Sequence, residues 1–249
     1  MTRRPLHAAD VGFSVDTAVD VAKEAAAMIL LRKDLGVLAD GVREGRRTFV
    51  NIVKYMMMGT SSNFGNMFSM AGSVLFLPFL PMLPPQILLN NLLYDLSETT
   101  LPLDRVSHAA IARPRRWNLG MVRRFMLIFG PISSIFDFVT FGLLLWIFHA
   151  DEALFHTAWF VESLATQILV IFIIRTAYPL QDRPHPALAA TALGAFALAL
   201  AFPYSPLASW VGFVPPPPGL LGALMLVTVT YLGTVHGVKR WFFRRFELD

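Results

Sequence analysis

The chain has 249 residues, 55% of them hydrophobic and 15% charged, and its mean hydropathy is +0.55. A soluble domain carries about 25% charged residues. The low charge and long apolar runs exclude a disordered chain, a nucleic-acid module and an ordinary cytosolic enzyme, and they indicate a polytopic membrane protein. With no cysteine, disulfides, thiol nucleophiles and Cys-ligated zinc are excluded as well.

The first 50 residues differ from the rest. Val11-Gly12-Phe13-Ser14-Val15 reads as a short strand. Asp16 is expected to cap a helix with the apolar stripe Val15, Val19, Ala22 and Ala26, and Met28-Ile29-Leu30-Leu31 reads as a buried strand. Strand–helix–strand belongs to a parallel α/β sheet. One such unit cannot bury a core, because domains under about 40 residues rarely stand alone. From Asp34 a second pattern begins, with Leu35, Leu38, Val42, Gly45, Phe49 and Ile52 spaced as a seam. No proline follows before the first membrane segment, so one long helix is expected to run from a stalk into the bilayer. The alternative is an amphipathic helix that ends near Gly59. The seam implies a packing partner.

A helix needs ~20 mostly apolar residues to span the hydrocarbon layer. Six segments qualify, at roughly 55–80, 85–103, 125–148, 159–174, 187–204 and 220–238. The basic residues sort by loop. Residues 1–54 hold nine, the loop after the second span six, the loop after the fourth two (Arg175, Arg183) and the tail four, which accounts for all 21. The intervening loops hold none. Six spans with this alternation put both termini in the cytoplasm of a cell-membrane protein. The basic surplus therefore reports topology, and nucleic acid is dropped as a partner. The first 25 residues lack the apolar core of a signal peptide. The fold class is mainly α: a polytopic bundle of six transmembrane helices with a small N-terminal α/β piece and a stalk helix.

Polar side chains at membrane depth cost roughly 2.5–3.5 kcal/mol when charged and mark candidate functional positions. Asn63 and Asn66 in the first span lie at i, i+3. Asn91, Asp95 and Glu98 in the second lie at i, i+4, i+7, so three oxygen-bearing side chains are expected in one stripe beside Asn90. Gly65 allows close helix approach. Carboxylate and amide oxygens suit hard cations such as Mg²⁺ or Ca²⁺. The asparagines serve equally well as interhelical hydrogen-bonding groups. Asp95 has no basic residue in any span to pair with, so its partner is expected to be a cation, a proton or water. Glu98 can snorkel to the cytoplasmic surface. Asp137 can join the site or pair with Ser133 or Ser134 in the preceding turn. Glu162 can face a cation exit path or be solvated. Glu98, Asp137 and Glu162 are thus candidates for the cation path. The six histidines show no metal-ligand spacing. Paired repeats, the mark of many secondary transporters, are not found between spans one to three and four to six.

As a set, these segments resemble one family. Ala8-Ala9-Asp10-Val11-Gly12-Phe13-Ser14-Val15-Asp16, Ala22-Lys23-Glu24-Ala25-Ala26 and Ile29-Leu30-Leu31 resemble the end of the phosphorylation domain of P-type ATPases. The run from Gly41 to Tyr55 is similar to the stalk entering their fifth membrane helix. Ser61-Ser62-Asn63-Phe64-Gly65-Asn66 and Asn91-Leu92-Leu93-Tyr94-Asp95 are similar to their ion-site segments. Phe79-Leu80-Pro81-Met82-Leu83-Pro84, Phe129-Gly130-Pro131-Ile132-Ser133-Ser134-Ile135-Phe136-Asp137 and Trp159-Phe160-Val161 resemble the bacterial magnesium-transporting branch. The resemblance implies residues 1–33 as the end of the phosphorylation domain, 34–54 as the stalk and 55–249 as membrane helices five to ten. It implies Asn63, Asn66, Asn91, Tyr94 and Asp95 as cation-binding residues, completed in the family by the fourth helix. Mg²⁺ is then the transported ion, and ATP acts only through domains this chain lacks.

The departures are equally specific. The family phosphorylates the Asp of an Asp-Lys-Thr-Gly motif, whereas Lys23, Lys33, Lys54 and Lys239 are followed by Glu, Asp, Tyr and Arg. The Gly-Asp-Gly-x-Asn-Asp loop belongs just before Ala8, where the chain reads Met1-Thr2-Arg3-Arg4-Pro5-Leu6-His7. Phosphoryl transfer needs nucleophile, Mg²⁺ ligands and nucleotide cradle together. The chain alone is therefore expected neither to hydrolyse ATP nor to form a phosphoenzyme. The expectation is either a C-terminal pump half, truncated or split from the rest, or a non-enzymatic membrane subunit that pairs with a separately encoded N-terminal half.

Overall fold

A computed structural model describes residues 9–176 and 182–246. Ala8 and Arg3-Arg4-Pro5 of the sequence argument lie outside the described residues. Two compact units are distinguished, residues 1–49 with 107–114 and residues 50–106 with 115–249.

In the first unit, β1 (Phe13–Val15) and β2 (Met28–Leu30) pair in parallel, with Phe13 opposite Met28 and Val15 opposite Leu30. The crossover carries α1 (Asp20–Glu24), so the expected strand–helix–strand order is present. The helix starts later than expected. The Asp16 amide donates to the Leu30 carbonyl at 2.9 Å and extends the strand pairing, so Asp16 does not cap the helix. The stripe shrinks accordingly: Ala22 is buried, but Val19 is exposed. The burial expected for the second strand is not found: Met28, Ile29 and Leu31 are exposed, because a two-stranded sheet is too small to cover itself. Helix α2 (Leu35–Ser73) then runs unbroken for 39 residues, about 58 Å at 1.5 Å per residue. It does not stop near Gly59. Along its seam Leu35, Val42 and Ile52 are exposed. The short α4 (His108–Ile111) belongs to this unit, and Arg46 donates to the carbonyls of Ile111 and Ala112 at 3.2 Å each.

The second unit holds the C-terminal part of α2 from Val50, then α3 (Pro84–Glu98), α5 (Leu119–Gly142), α6 (Glu152–Ile174), α7 (Pro186–Ala201) and α8 (Pro218–Arg245). Their starts follow local chemistry. Proline opens α3, α7 and α8, where its missing N–H costs nothing. Asn118 accepts from the Met121 amide at 3.0 Å and Asp151 from the Leu154 amide at 2.9 Å, each a side-chain N-cap. Helix α5 ends in a π turn at Leu143–Ile147.

Helix α6 is the centre of the bundle and packs on α3, α5, α7 and α8. It is buried on all sides, with Phe155, Phe160, Leu164, Ile168 and Ile171 fully enclosed. This explains a correction. The fourth span, expected at 159–174, begins at Glu152, because Glu152, His156 and Glu162 interrupt the apolar run. His156 Nε2 meets the Leu80 carbonyl at 2.7 Å, and both His156 and Glu162 are satisfied or enclosed by protein rather than lipid. Aromatic side chains fill the gaps between helices: Phe125 stacks on Phe129 at 4.0 Å, Phe242 meets both edge-on, and Phe141 meets Trp159 edge-on at 5.0 Å.

Among the described residues, four helical segments are long and apolar enough to cross a membrane: Leu119–Ile147, Glu152–Ile174, Pro186–Tyr204 and Pro218–Arg245. The first two expected spans are shorter as helix than the sequence suggested. The segment at 55–80 leaves the helix after Ser73, ahead of Pro78 and Pro81. The segment at 85–103 is α3, whose 15 residues rise about 22 Å, against a hydrocarbon layer of ~30 Å. A 3₁₀ turn at Leu101–Leu103 follows it. Helices α2 and α3 carry Asn63, Asn66, Asn90, Asn91, Asp95 and Glu98.

Candidate functional site

Helix α3 sorts its polar residues onto two sides. Asn91 and Asp95, one turn apart, are exposed, and so is Asn63 of α2. Asn66 is half-buried. Tyr94 and Glu98 are both 2% exposed, and the Tyr94 hydroxyl donates to Glu98 Oε1 at 2.8 Å. The stripe expected from Asn91, Asp95 and Glu98 is therefore divided. Glu98 sits one turn beyond Tyr94, and the hydroxyl draws its carboxyl inward. Its second oxygen is buried without a donor and lies 4.0 Å from where a side chain on Gly59 of α2 would begin. Glu98 thus does not snorkel.

The contact between α2 and α5 depends on two glycines. A β-carbon on Gly65 would lie 3.1 Å from the Gly130 carbonyl, and one on Gly130 would lie 2.5 Å from Phe64 Cδ1. Ser134 donates to the Gly65 carbonyl at 2.9 Å and closes the same contact. Close approach at Gly65 was expected, and its partner is Gly130.

A second polar group lies inside the bundle. Asp137 does not pair with Ser133 or Ser134 of its own helix. Ser69 of α2 donates to its Oδ2 at 2.5 Å, and Trp159 Nε1 of α6 donates to its Oδ1 at 3.0 Å. A hydroxyl on the neighbouring helix, aligned across the contact, wins over one in the preceding turn. Glu162 is fully buried, one turn beyond the Trp159 that donates to Asp137, and neither of its oxygens receives an N–H or O–H. It is not solvated. Further along, Gln167 donates to Ser163 at 2.5 Å and to Asn90 at 3.4 Å, and Ser163 reaches Asn66 at 3.4 Å. Asn66 and Asn90 therefore serve as interhelical hydrogen-bonding groups in this arrangement. Among the described residues no cluster of three His, Cys, Asp or Glu side chains could hold a metal ion.

Sequence reasoning missed a charged cluster beyond the end of α3. Asp104 is fully buried, with Arg175 Nε at 3.2 Å and Lys54 Nζ at 3.8 Å from its Oδ2, and the His185 amide donates to its Oδ1 at 3.2 Å. Asn51 of α2 donates to the carbonyls of Pro102 and Asp104 at 3.0 Å each. Burial holds the Lys54 ammonium below the usual lysine range. Asp104 pulls it partly back and Arg175 pushes it further down. The one available signal was an acid, Asp104, at the head of an otherwise basic loop.

Residues 79–241 match the family described as cation transporting ATPase, C-terminus. The chain is 47% identical over 247 residues to a magnesium-transporting ATPase, P-type 1, of Salmonella typhimurium, covering 97% of this chain and 27% of the relative. It is 45% identical over 248 residues to the protein of the same name in Escherichia coli K12, covering 97% and 28%. It is 34% identical over 119 residues to a calcium-transporting ATPase of Bacillus subtilis, covering 47% and 13%. The chain spans little more than a quarter of the length of the magnesium-transporting relatives. With its helical bundle, apolar spans and matched segment, it belongs to the P-type cation-transporting ATPases and corresponds to their C-terminal membrane region.

Proposed function

We propose that this chain supplies the cation-binding groups of a magnesium-transporting P-type ATPase, with Asp95 as the charged ligand, Asn63 and Asn91 as neutral oxygen ligands on the same exposed face, and Asn66 and Tyr94 joining them once they release Ser163 and Glu98. The observation that carries the reading is the exposure of Asp95, Asn91 and Asn63 on helices otherwise lined by exposed Met67, Leu88 and Leu92. A carboxylate there is costly in lipid. It is stabilised when a further membrane segment covers it and a cation neutralises it. Hard oxygen donors suit Mg²⁺, which keeps several waters and needs few protein ligands. The names of the relatives with 45–47% identity support magnesium as the cargo.

In this reading Glu98 lies at the cytoplasmic end of the path, tethered by Tyr94. The protein resides in the cell inner membrane with both termini in the cytoplasm, and ATP acts through domains outside this chain. The exposed Asn63–Asn91–Asp95 face would be covered by further membrane helices, supplied in the same polypeptide or by a separately encoded half. Magnesium-limited growth tests the proposal. A pump assembled from this chain and the remainder of a relative should restore growth, and Asp95→Asn should abolish the rescue. Undiminished rescue by Asp95→Asn would refute it.

A further inference from the structure

The interior pair of acids behaves differently from the exposed one. Asp137 and Glu162 are 2% and 0% exposed, and Trp159, one turn before Glu162 on α6, donates to Asp137, which brings the two carboxyls within range of each other. Two ionised carboxylates about 4 Å apart would repel by about 4 kcal/mol even at an effective dielectric constant near 20. Among the described residues, no Lys, Arg or His forms an ion pair with either.

The neighbours decide which acid is the anion. Ser69 from α2 and Trp159 from α6 both donate to Asp137, one to each oxygen. Both oxygens of Glu162 are enclosed without any outside donor. Tyr231 of α8 is buried against Phe136, one residue before Asp137. An acceptor with two fixed donors favours the ionised form, and an acid with none favours the protonated form. We infer that Asp137 and Glu162 form a proton-binding site in the membrane interior, with one proton on Glu162 donated to an Asp137 carboxylate that Ser69 and Trp159 hold in place. The site goes beyond the cation groups on α2 and α3 and does not depend on them. It joins α2, α5 and α6 through one charge that needs no resident metal ion.

Infrared spectroscopy of the full chain in lipid vesicles tests this. At neutral pH the wild type should show a protonated-carboxyl C=O band that shifts in D₂O. Glu162→Gln should remove that band while keeping the donor to Asp137. Asp95→Asn should leave it in place, and so should saturating Mg²⁺ added alone. The site is refuted if wild type and Glu162→Gln show the same band at neutral pH, or if Mg²⁺ discharges it. Should Glu162→Gln fail to fold, Trp159→Phe carries the test. Losing one donor to Asp137 should shift the band, and an unmoved band refutes the site. Loss of the band in Glu162→Gln but not in Asp95→Asn keeps this result separate from the transport reading, which rests on Asp95.

Discussion

Tyr94 and Glu98 close a hydrogen bond of 2.8 Å along one turn of α3, while Asp95, beside Tyr94 in sequence, lies exposed on the other side of the helix. Adjacent residues on a helix are about 100° apart, so one short segment presents both a buried, tethered acid and an exposed one. Removing the tether should be costly. Tyr94→Phe leaves Glu98 buried without its donor, a loss of roughly 1–3 kcal/mol. Thermal unfolding in detergent should show a lower midpoint, and Glu98→Leu in the same background should restore most of it.

The α2–α5 contact should be sensitive to single methyl groups. Gly130→Ala places a β-carbon 2.5 Å from Phe64 Cδ1, so the ring or the helix must shift. Overpacking of this kind costs about 1–3 kcal/mol. Gly222 on α8 faces open space and is exposed. There an alanine should stabilise by roughly 0.4–1 kcal/mol, through better helix propensity and a less mobile unfolded chain. Midpoints moving in opposite directions in the two variants would check both statements.

Asp104 is the counter-charge for two buried cations. Asp104→Ala leaves Arg175 and Lys54 enclosed and uncompensated, and breaking a buried pair costs about 3–5 kcal/mol. This should be among the most damaging single changes outside the aromatic core, read as loss of folded protein in detergent by size-exclusion profile.

Lys54 also gives the fold a pH dependence. Its ammonium is held below the ordinary lysine range by burial, so the folded chain binds this proton less tightly than the unfolded chain does. Stability should therefore rise with pH between the lowered folded value and the ordinary 10.5. Unfolding midpoints measured across that window should climb in the wild type and stay flatter in Lys54→Met.

Much of this was legible from residue patterns. The long α2 followed from an unbroken seam and the lack of a proline, and the helical bundle from apolar runs and the placement of 21 basic residues. What escaped depends on three-dimensional proximity. The sequence places Asp137 beside Ser133 and Ser134, but Ser69 lies 68 residues away and reaches it across a helix contact. Glu162 interrupts an apolar run and so looked like a membrane edge, whereas α6 is enclosed by protein on every side. The Asp104–Arg175 pair joins residues 71 positions apart, with no periodicity to announce it. Helical spacing alone put Asn91, Asp95 and Glu98 in one stripe, because it does not tell which way a flexible carboxyl will turn when a tyrosine stands one turn away.

Mg²⁺ flux into inverted or right-side-out vesicles, with the pump assembled from this chain and the remainder of a relative, tests the transport site most directly. The wild-type assembly should move Mg²⁺ on addition of ATP. Asp95→Asn should bring flux to background while leaving the assembled pump folded, and Asn91→Ala should weaken the apparent Mg²⁺ affinity. Wild-type flux from Asp95→Asn would contradict the assignment of Asp95 as the group that meets the ion.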